Sequence, residues 1–197
     1  MKIQPGSIGF DFDGVIADIG EAFIRLACTE HGYCSIKLEE IKTFQVEHCI
    51  DIPAETVEII FNDILADSLS TGLKPLPGAI ETLARLCSHS DVTIITARPE
   101  IQPVIDWFDH YCLPEDRRKI KLIATGDHDN KELYIRTCGL THFIDDRTLT
   151  CLQLAEAGLN AIVFSQPWNH NQHNLPSVSN WEELYSLFDL SQSQTPR

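Results

Sequence analysis

Residues 7–13, Ser-Ile-Gly-Phe-Asp-Phe-Asp, place an apolar run and two carboxylates in one short stretch that Gly14 closes at once. As a strand, a run this apolar is buried on both faces and delivers its acids to its C-terminal edge. It needs neighbours of the same kind, and the chain supplies them. Val92-Thr-Ile-Ile-Thr96 is a β-branched run, Leu122–Ala124 and Ala161–Phe164 are short apolar segments, and Phe143-Ile-Asp-Asp146 is again tipped with acids. Helical patterns separate them. Ile80, Leu83, Ala84 and Cys87 share one face, a further helix is predicted over Val104–Tyr111, another over Asn130–Cys138 stopped by Gly139, and one over Leu149–Ala157 stopped by Gly158. This alternation specifies an α/β fold, a doubly wound parallel sheet with helices on both faces.

Residues 17–73 break the rhythm. Val57, Ile60, Phe61, Ile64 and Leu65 form the stripe of an amphipathic helix whose first turn carries Pro53 and Glu55. A looser stripe of Phe23, Leu26 and Ala27 precedes it, and Lys37–Glu47 reads as a short helix between them. The expected organisation is a core of residues 1–16 and 74–190 with a small helical insertion at 17–73 after the first strand. A last helix is predicted over Trp181–Phe188, followed by a polar, fraying tail at 191–197.

Fifteen basic against 29 acidic side chains give a net charge of −14. Such a surface repels phosphate polymers, which argues against nucleic-acid polymers and anionic membranes as partners. The seven cysteines are odd in number, contain no Cys-x-x-Cys pair and mostly sit in apolar stretches, where a thiol acts as a small hydrophobe. That usage, with no basic-then-apolar leader at residues 1–9 and no long apolar run, leads us to expect a soluble cytoplasmic protein.

Ligands of a doubly wound sheet bind beyond the carboxyl ends of its strands. There the sequence places Asp11 and Asp13, Thr96, and Asp145 and Asp146. Two unit charges about 4 Å apart repel by roughly 4 kcal/mol at an effective dielectric near 20, so such a cluster takes up protons or holds a cation. All-oxygen ligands favour a hard ion, and Mg2+ is the expected one. A metal, a lysine and a spare acid are the parts of phosphoryl-transfer chemistry.

The order of these residues resembles the four-motif signature of the haloacid dehalogenase superfamily of phosphatases, over about residues 7–165. Its most specific parts are Phe10-Asp-Phe-Asp-Gly-Val15 and Phe143-Ile-Asp-Asp-Arg147. The resemblance implies Asp11 as a nucleophile that forms an aspartyl-phosphate, and Asp13 as the acid that protonates the leaving oxygen and then activates water. Thr96 would bind phosphate and Lys131 would be the third-motif lysine, ahead of Lys119 and Lys121. Asp11, the backbone carbonyl of Asp13, Asp145 and Asp146 would form the Mg2+ site. It also implies that residues 17–73 are a C1-type cap closing over a small-molecule phosphate ester. An acid at Asp13 speaks against the carbon-transferring dehalogenases and the ATP-driven pumps. Asp11-Phe-Asp-Gly-Val-Ile-Ala-Asp18, Ile144–Arg147 and Phe164-Ser-Gln-Pro-Trp-Asn169 further resemble the 5′(3′)-deoxyribonucleotidase-like family, whose substrates are nucleoside monophosphates. That family has a small residue and then Pro-Ile or Pro-Leu after the second-motif threonine. Here Ala97-Arg98-Pro99 stands instead.

Beside the sharp roles stand plainer ones. Asp18 is expected to cap a helix rather than touch substrate. Ala97 and Arg98 are candidate substrate contacts, with a carboxylate partner an equal reading for Arg98. Phe23, Tyr33 and Phe61 are read as core, and Phe44 as a candidate for stacking on a nucleobase. Arg147 is expected to brace the acidic loop, Trp168 to anchor packing near the site, and His170 and His173 to be surface residues. The competing activities are a capped phosphatase for a sugar phosphate or phosphoglycolate and, from another class, a phospho-accepting receiver module. The latter normally carries its aspartate mid-chain and lacks a cap. Homodimer formation stays open.

Overall fold

The structure is a computed structural model and describes residues 2–190; the tail predicted at 191–197 lies outside the described residues. Strand β1 (Ile8–Phe10) pairs with β2 (Val92–Thr96) on one side and β4 (His142–Asp145) on the other, so that Phe10 stands opposite both Ile94 and Ile144. With β3 (Ile120–Ala124), β5 (Asn160–Phe164) and β6 (Ser177–Val178), the order is β3-β2-β1-β4-β5-β6, and every pairing is parallel. The acid-tipped strands β1 and β4 are thus neighbours, which brings their carboxyl ends together.

Both sheet faces are covered, which is why the strands are continuously apolar rather than alternating. On one face Phe10, Ile94, Ile144 and Phe164 pack in a cluster with side chains of α3 (Ala79–Cys87), α4 (Gln102–Tyr111) and α8 (Trp181–Ser186). On the other, Ile95, Phe143, Ala161 and Val163 meet α6 (Lys131–Thr137) and α7 (Thr148–Glu156). Gly9 belongs to this second face, where an added Cβ would stand 2.8 Å from Leu140 Cδ1; a side chain there would wedge β1 away from its cover. Two short elements escape the sequence pattern, strand β6 and helix α5 (Pro114–Arg117), each too brief to show a period.

Two helices lie in the stretch that breaks the rhythm. Asp18 caps α1 (Ile19–Thr29), its side chain accepting the Glu21 N–H at 3.0 Å. Phe23, Leu26 and Ala27 are buried along this helix. In α2 (Ala54–Ala66), Val57, Ile60 and Ile64 are buried, and Phe61 stacks on Phe23 with centroids 4.9 Å apart. Residues 37–47 do not form a helix. They make two 3-10 turns, Leu38–Glu40 and Val46–His48, because apolar positions are too sparse there and the Glu40 carboxylate closes the first turn on the Lys37 N–H.

The cysteine reading needs correction. Cys28 and Cys34 form a disulfide, with Cα atoms 4.2 Å apart, because the chain reverses after α1 through Gly32 at φ 80° and returns to bond Tyr33 N–H to the Ala27 carbonyl. A six-residue spacing across a helix end gives no sequence signal of this. The pair removes the cysteine argument for a reducing compartment. The other five cysteines are free, and burial pushes the Cys87 thiol up to about 12. No helix among the described residues is long and apolar enough to cross a membrane.

Candidate active site

The first strand ends by donating the Asp11 N–H to the Ile144 carbonyl at 2.8 Å, which pins the two acidic loops side by side. Asp11, Asp145 and Asp146 are buried, and one carboxylate oxygen from each lies within 4.8 Å of the others. Lys131, the first residue of α6, is fully buried between them, its Nζ 2.7 Å from Asp145 Oδ2 and 2.9 Å from Asp11 Oδ1. Burial alone would lower this ammonium, but the two carboxylates beside it overturn that and hold it above the ordinary lysine value. One cation does not satisfy three acids. Burial, with Asp145 and Asp13 adding to it against Lys131, pushes Asp11 up to about 7, and burial with Asp145 and Asp11 nearby raises Asp146 well above the usual carboxylate range.

The acidic loop is held rigidly. Asp145 Oδ1 accepts the Arg147 N–H at 2.8 Å, and Asp146 Oδ2 accepts the indole N–H of Trp168 at 2.8 Å. Buried Asn169 donates to the carbonyls of Asp146 and Phe164. The turn after Asp13 approaches so closely that a Cβ at Gly14 (φ 74°) would lie 2.2 Å from Asp146 Oδ2. Only glycine fits both that backbone angle and that gap.

The side chain of Asp13 turns elsewhere. Its two oxygens accept from Arg98 Nε at 2.8 Å and Nη2 at 2.7 Å, a bidentate pair. Thr96 is buried at the end of β2, its Oγ1 accepting the Arg98 N–H at 3.3 Å. Asp11, Asp13, Thr96, Ala97, Arg98 and Asp146 line the floor of a cavity of about 590 Å³. Its roof comes from residues 17–73, with Phe23, Ile41, Val57 and Phe61 giving an apolar wall and Gln45 and Asn62 giving polar points.

Of the residues selected from the sequence, Asp11, Asp13, Phe44, Thr96, Ala97, Arg98 and Asp146 line this cavity, whereas Asp145 and Lys131 are fully buried behind it and reach it through Asp11. Phe44 lies at the mouth, 41% exposed, its ring 5.3 Å from the Arg147 guanidinium carbon and 5.4 Å from the His128 ring. The Arg147 side chain thus meets a wall residue, together with Thr150 Oγ1 at 3.5 Å and Asp129 Oδ1 at 3.6 Å, and only its backbone N–H holds the acidic loop, through Asp145. Phe23 and Phe61 are both core and cavity wall, whereas Tyr33 is half-buried core. His170 is exposed and His173 is half-buried, and among the described residues the one group placed to hold a metal ion is Asp11, Asp145 and Asp146. Sequence reasoning missed the polar role of Trp168, which was read as packing, and it missed Asn169, His128 and Ser68. Only the Pro-Trp-Asn169 segment carried a signal for any of these.

A family model described as 5′ nucleotidase, deoxy (pyrimidine), cytosolic type C matches residues 6–194. The chain belongs to this nucleotidase family. The family gives it a place among the phosphatases of the haloacid dehalogenase superfamily, and solved structures of similar fold agree. A haloacid dehalogenase-like hydrolase from Streptococcus pneumoniae is 19% identical, with a TM-score of 0.59 over 91% of this chain and 96% of that one. A HAD-superfamily hydrolase of subfamily IA from Geobacter sulfurreducens PCA is 15% identical, with a TM-score of 0.55 over 96% and 100%. CbbY from Rhodobacter sphaeroides, solved with xylulose-(1,5)-bisphosphate, is 16% identical, with a TM-score of 0.51 over 92% and 98%. Comparison with curated proteins finds no match.

Proposed function

We propose that this member of the nucleotidase family is a Mg2+-dependent phosphomonoesterase that dephosphorylates a deoxyribonucleoside monophosphate through an aspartyl-phosphate on Asp11. The observation that carries the reading is the buried set of Asp11, Asp145 and Asp146 around Lys131, at the floor of an apolar-walled cavity.

The residues fit a hard divalent cation. Three carboxylates converge with one ammonium between them, and Asp11 Oδ1 has no well-angled hydrogen bond although Lys131 lies 2.9 Å away. Asp11, Asp145 and Asp146 would hold Mg2+ together with the Asp13 carbonyl, and the bound ion would neutralise charge on the phosphoryl oxygens. In the first step an Asp11 oxygen attacks phosphorus, the bond to the ester oxygen breaks, and Asp13 gives that oxygen its proton to release the alcohol. Water then attacks the aspartyl-phosphate and passes a proton to Asp13, so that inorganic phosphate leaves and Asp11 is restored. Lys131 holds Asp11 in place and offsets its charge, and Thr96 binds phosphate at the end of β2. Residues 17–73 act as the cap that shields the reaction from water. Phe44, Ala97 and the aromatic wall contact the nucleoside portion. A cytoplasmic location belongs to the same proposal, in keeping with the cytosolic type in the family's description.

Phosphate release by the purified protein from a panel of deoxynucleotides, ribonucleotides, sugar phosphates and phosphoglycolate, with and without chelator, tests this. Deoxyribonucleoside monophosphates should be the preferred substrates, the chelator should abolish turnover, and Asp11→Asn should lose at least about a thousandfold. Turnover of sugar phosphates or phosphoglycolate alone would reject the nucleotide reading and keep the phosphatase.

A further inference from the structure

The Arg98 guanidinium joins three parts of the fold. Nε and Nη2 form the bidentate pair with Asp13 on the turn after β1. Nη1 donates to Ser68 Oγ at 2.6 Å and lies 3.5 Å from the Leu65 carbonyl, at the exit of α2. Ser68 in turn donates to the Ile64 carbonyl at 3.1 Å, so its hydroxyl relays the contact into the last turn of that helix. The Arg98 side chain is 2% exposed and its Cζ lies 4.9 Å over the Phe12 ring, itself packed edge-on against Trp107. A planar fork held in this way has little freedom, and lysine could not reproduce it.

We propose that Arg98 is a positioning residue that ties the orientation of Asp13 to the seating of the helical insertion, an inference that rests on the phosphatase reading above. With α2 seated, Ser68 and the Leu65 carbonyl fix one side of the guanidinium, and the other side presents the Asp13 carboxyl at the cavity floor. Each Asp13 oxygen keeps a further lone pair for the proton it exchanges with the leaving oxygen. When α2 lifts, Nη1 loses both partners and Asp13 loses its fixed support. Proton donation is thereby confined to the closed site, where the leaving group is sheltered from water. Arg98 does not itself bind the substrate phosphate.

The test is a leaving-group comparison on the full chain. A deoxyribonucleoside monophosphate leaves as an alkoxide and needs the proton from Asp13; 4-nitrophenyl phosphate leaves as a stable phenolate and needs it far less. In Arg98→Ala, kcat for 2′-deoxyuridine 5′-monophosphate should fall about tenfold further than kcat for 4-nitrophenyl phosphate. Arg98→Lys, which keeps the charge without the fork, should show the same selective loss and covers the case in which the alanine variant does not fold. Ser68→Ala should show it in smaller measure, roughly threefold, for one lost hydrogen bond. Equal losses on the two esters in folded Arg98 variants would overturn the positioning role, and an unchanged ratio in Ser68→Ala would overturn the link to the insertion. A wild-type protein inactive on both esters would overturn the phosphatase reading and this inference with it.

Discussion

The indole N–H of Trp168 donates to Asp146 Oδ2 at 2.8 Å, so the segment after β5 fixes the direction of a carboxylate at the end of β4. Partners of this kind orient metal-binding acids, and their removal commonly weakens binding by roughly 10- to 100-fold. Trp168→Phe keeps an aromatic ring beside Gly14 and Gly20 but removes the donor. The Mg2+ concentration for half-maximal turnover should rise at least about tenfold while kcat at saturating metal changes much less. Metal titration of phosphate release measures both, and an unchanged half-saturation would show that Trp168 serves packing alone.

The strand acids were legible because they sit where an apolar run ends, and a parallel sheet has only one place for such ends to go. Lys131 was legible for a different reason, its position opening the helix that precedes β4. What the sequence did not carry was orientation. Nothing in Asp11-Phe-Asp13 says that the first carboxylate points down to Lys131 and the second across to Arg98. That depends on the Gly14 turn and on the Phe12 ring between Trp107, Phe108 and the guanidinium. Ser68 was invisible for a related reason, since its partner is 30 residues away and on another element. The Cys28–Cys34 pair depends in the same way on a chain reversal that periodicity does not encode.

Lys131 carries a structural as well as a chemical load. It is fully buried with Asp11 and Asp145 on its ammonium, and removing one partner of a buried pair leaves the other charge uncompensated. Lys131→Met fills similar space without charge. In chelator at neutral pH it should cost about 3–5 kcal/mol in urea unfolding and abolish phosphate release. A loss of under about 1 kcal/mol would show that the acids are neutral in the metal-free protein.

Asp11 also sets how pH and metal act together. Its carboxyl is pushed up to about 7, by burial first and against the opposing pull of Lys131, while in the unfolded chain it titrates near its ordinary value of 3.8. Between those values the metal-free native state holds a proton that the unfolded chain has released, so this group's stabilising contribution is complete below about pH 4 and is lost as pH rises through 7. Asp146 shifts in the same direction. His128 and His142, both held below the ordinary histidine value by burial, push the other way, so the comparison must be made against Asp11→Asn. A divalent ion binds only the ionised acids and relieves the cost of keeping them ionised. Mg2+ should therefore raise Tm more at about pH 7.5 than at about pH 5, and Asp11→Asn should shrink that difference. Thermal melts in chelator and in saturating Mg2+ at the two pH values decide it, because an equal Mg2+ shift at both would mean that the ion does not bind through these carboxyls.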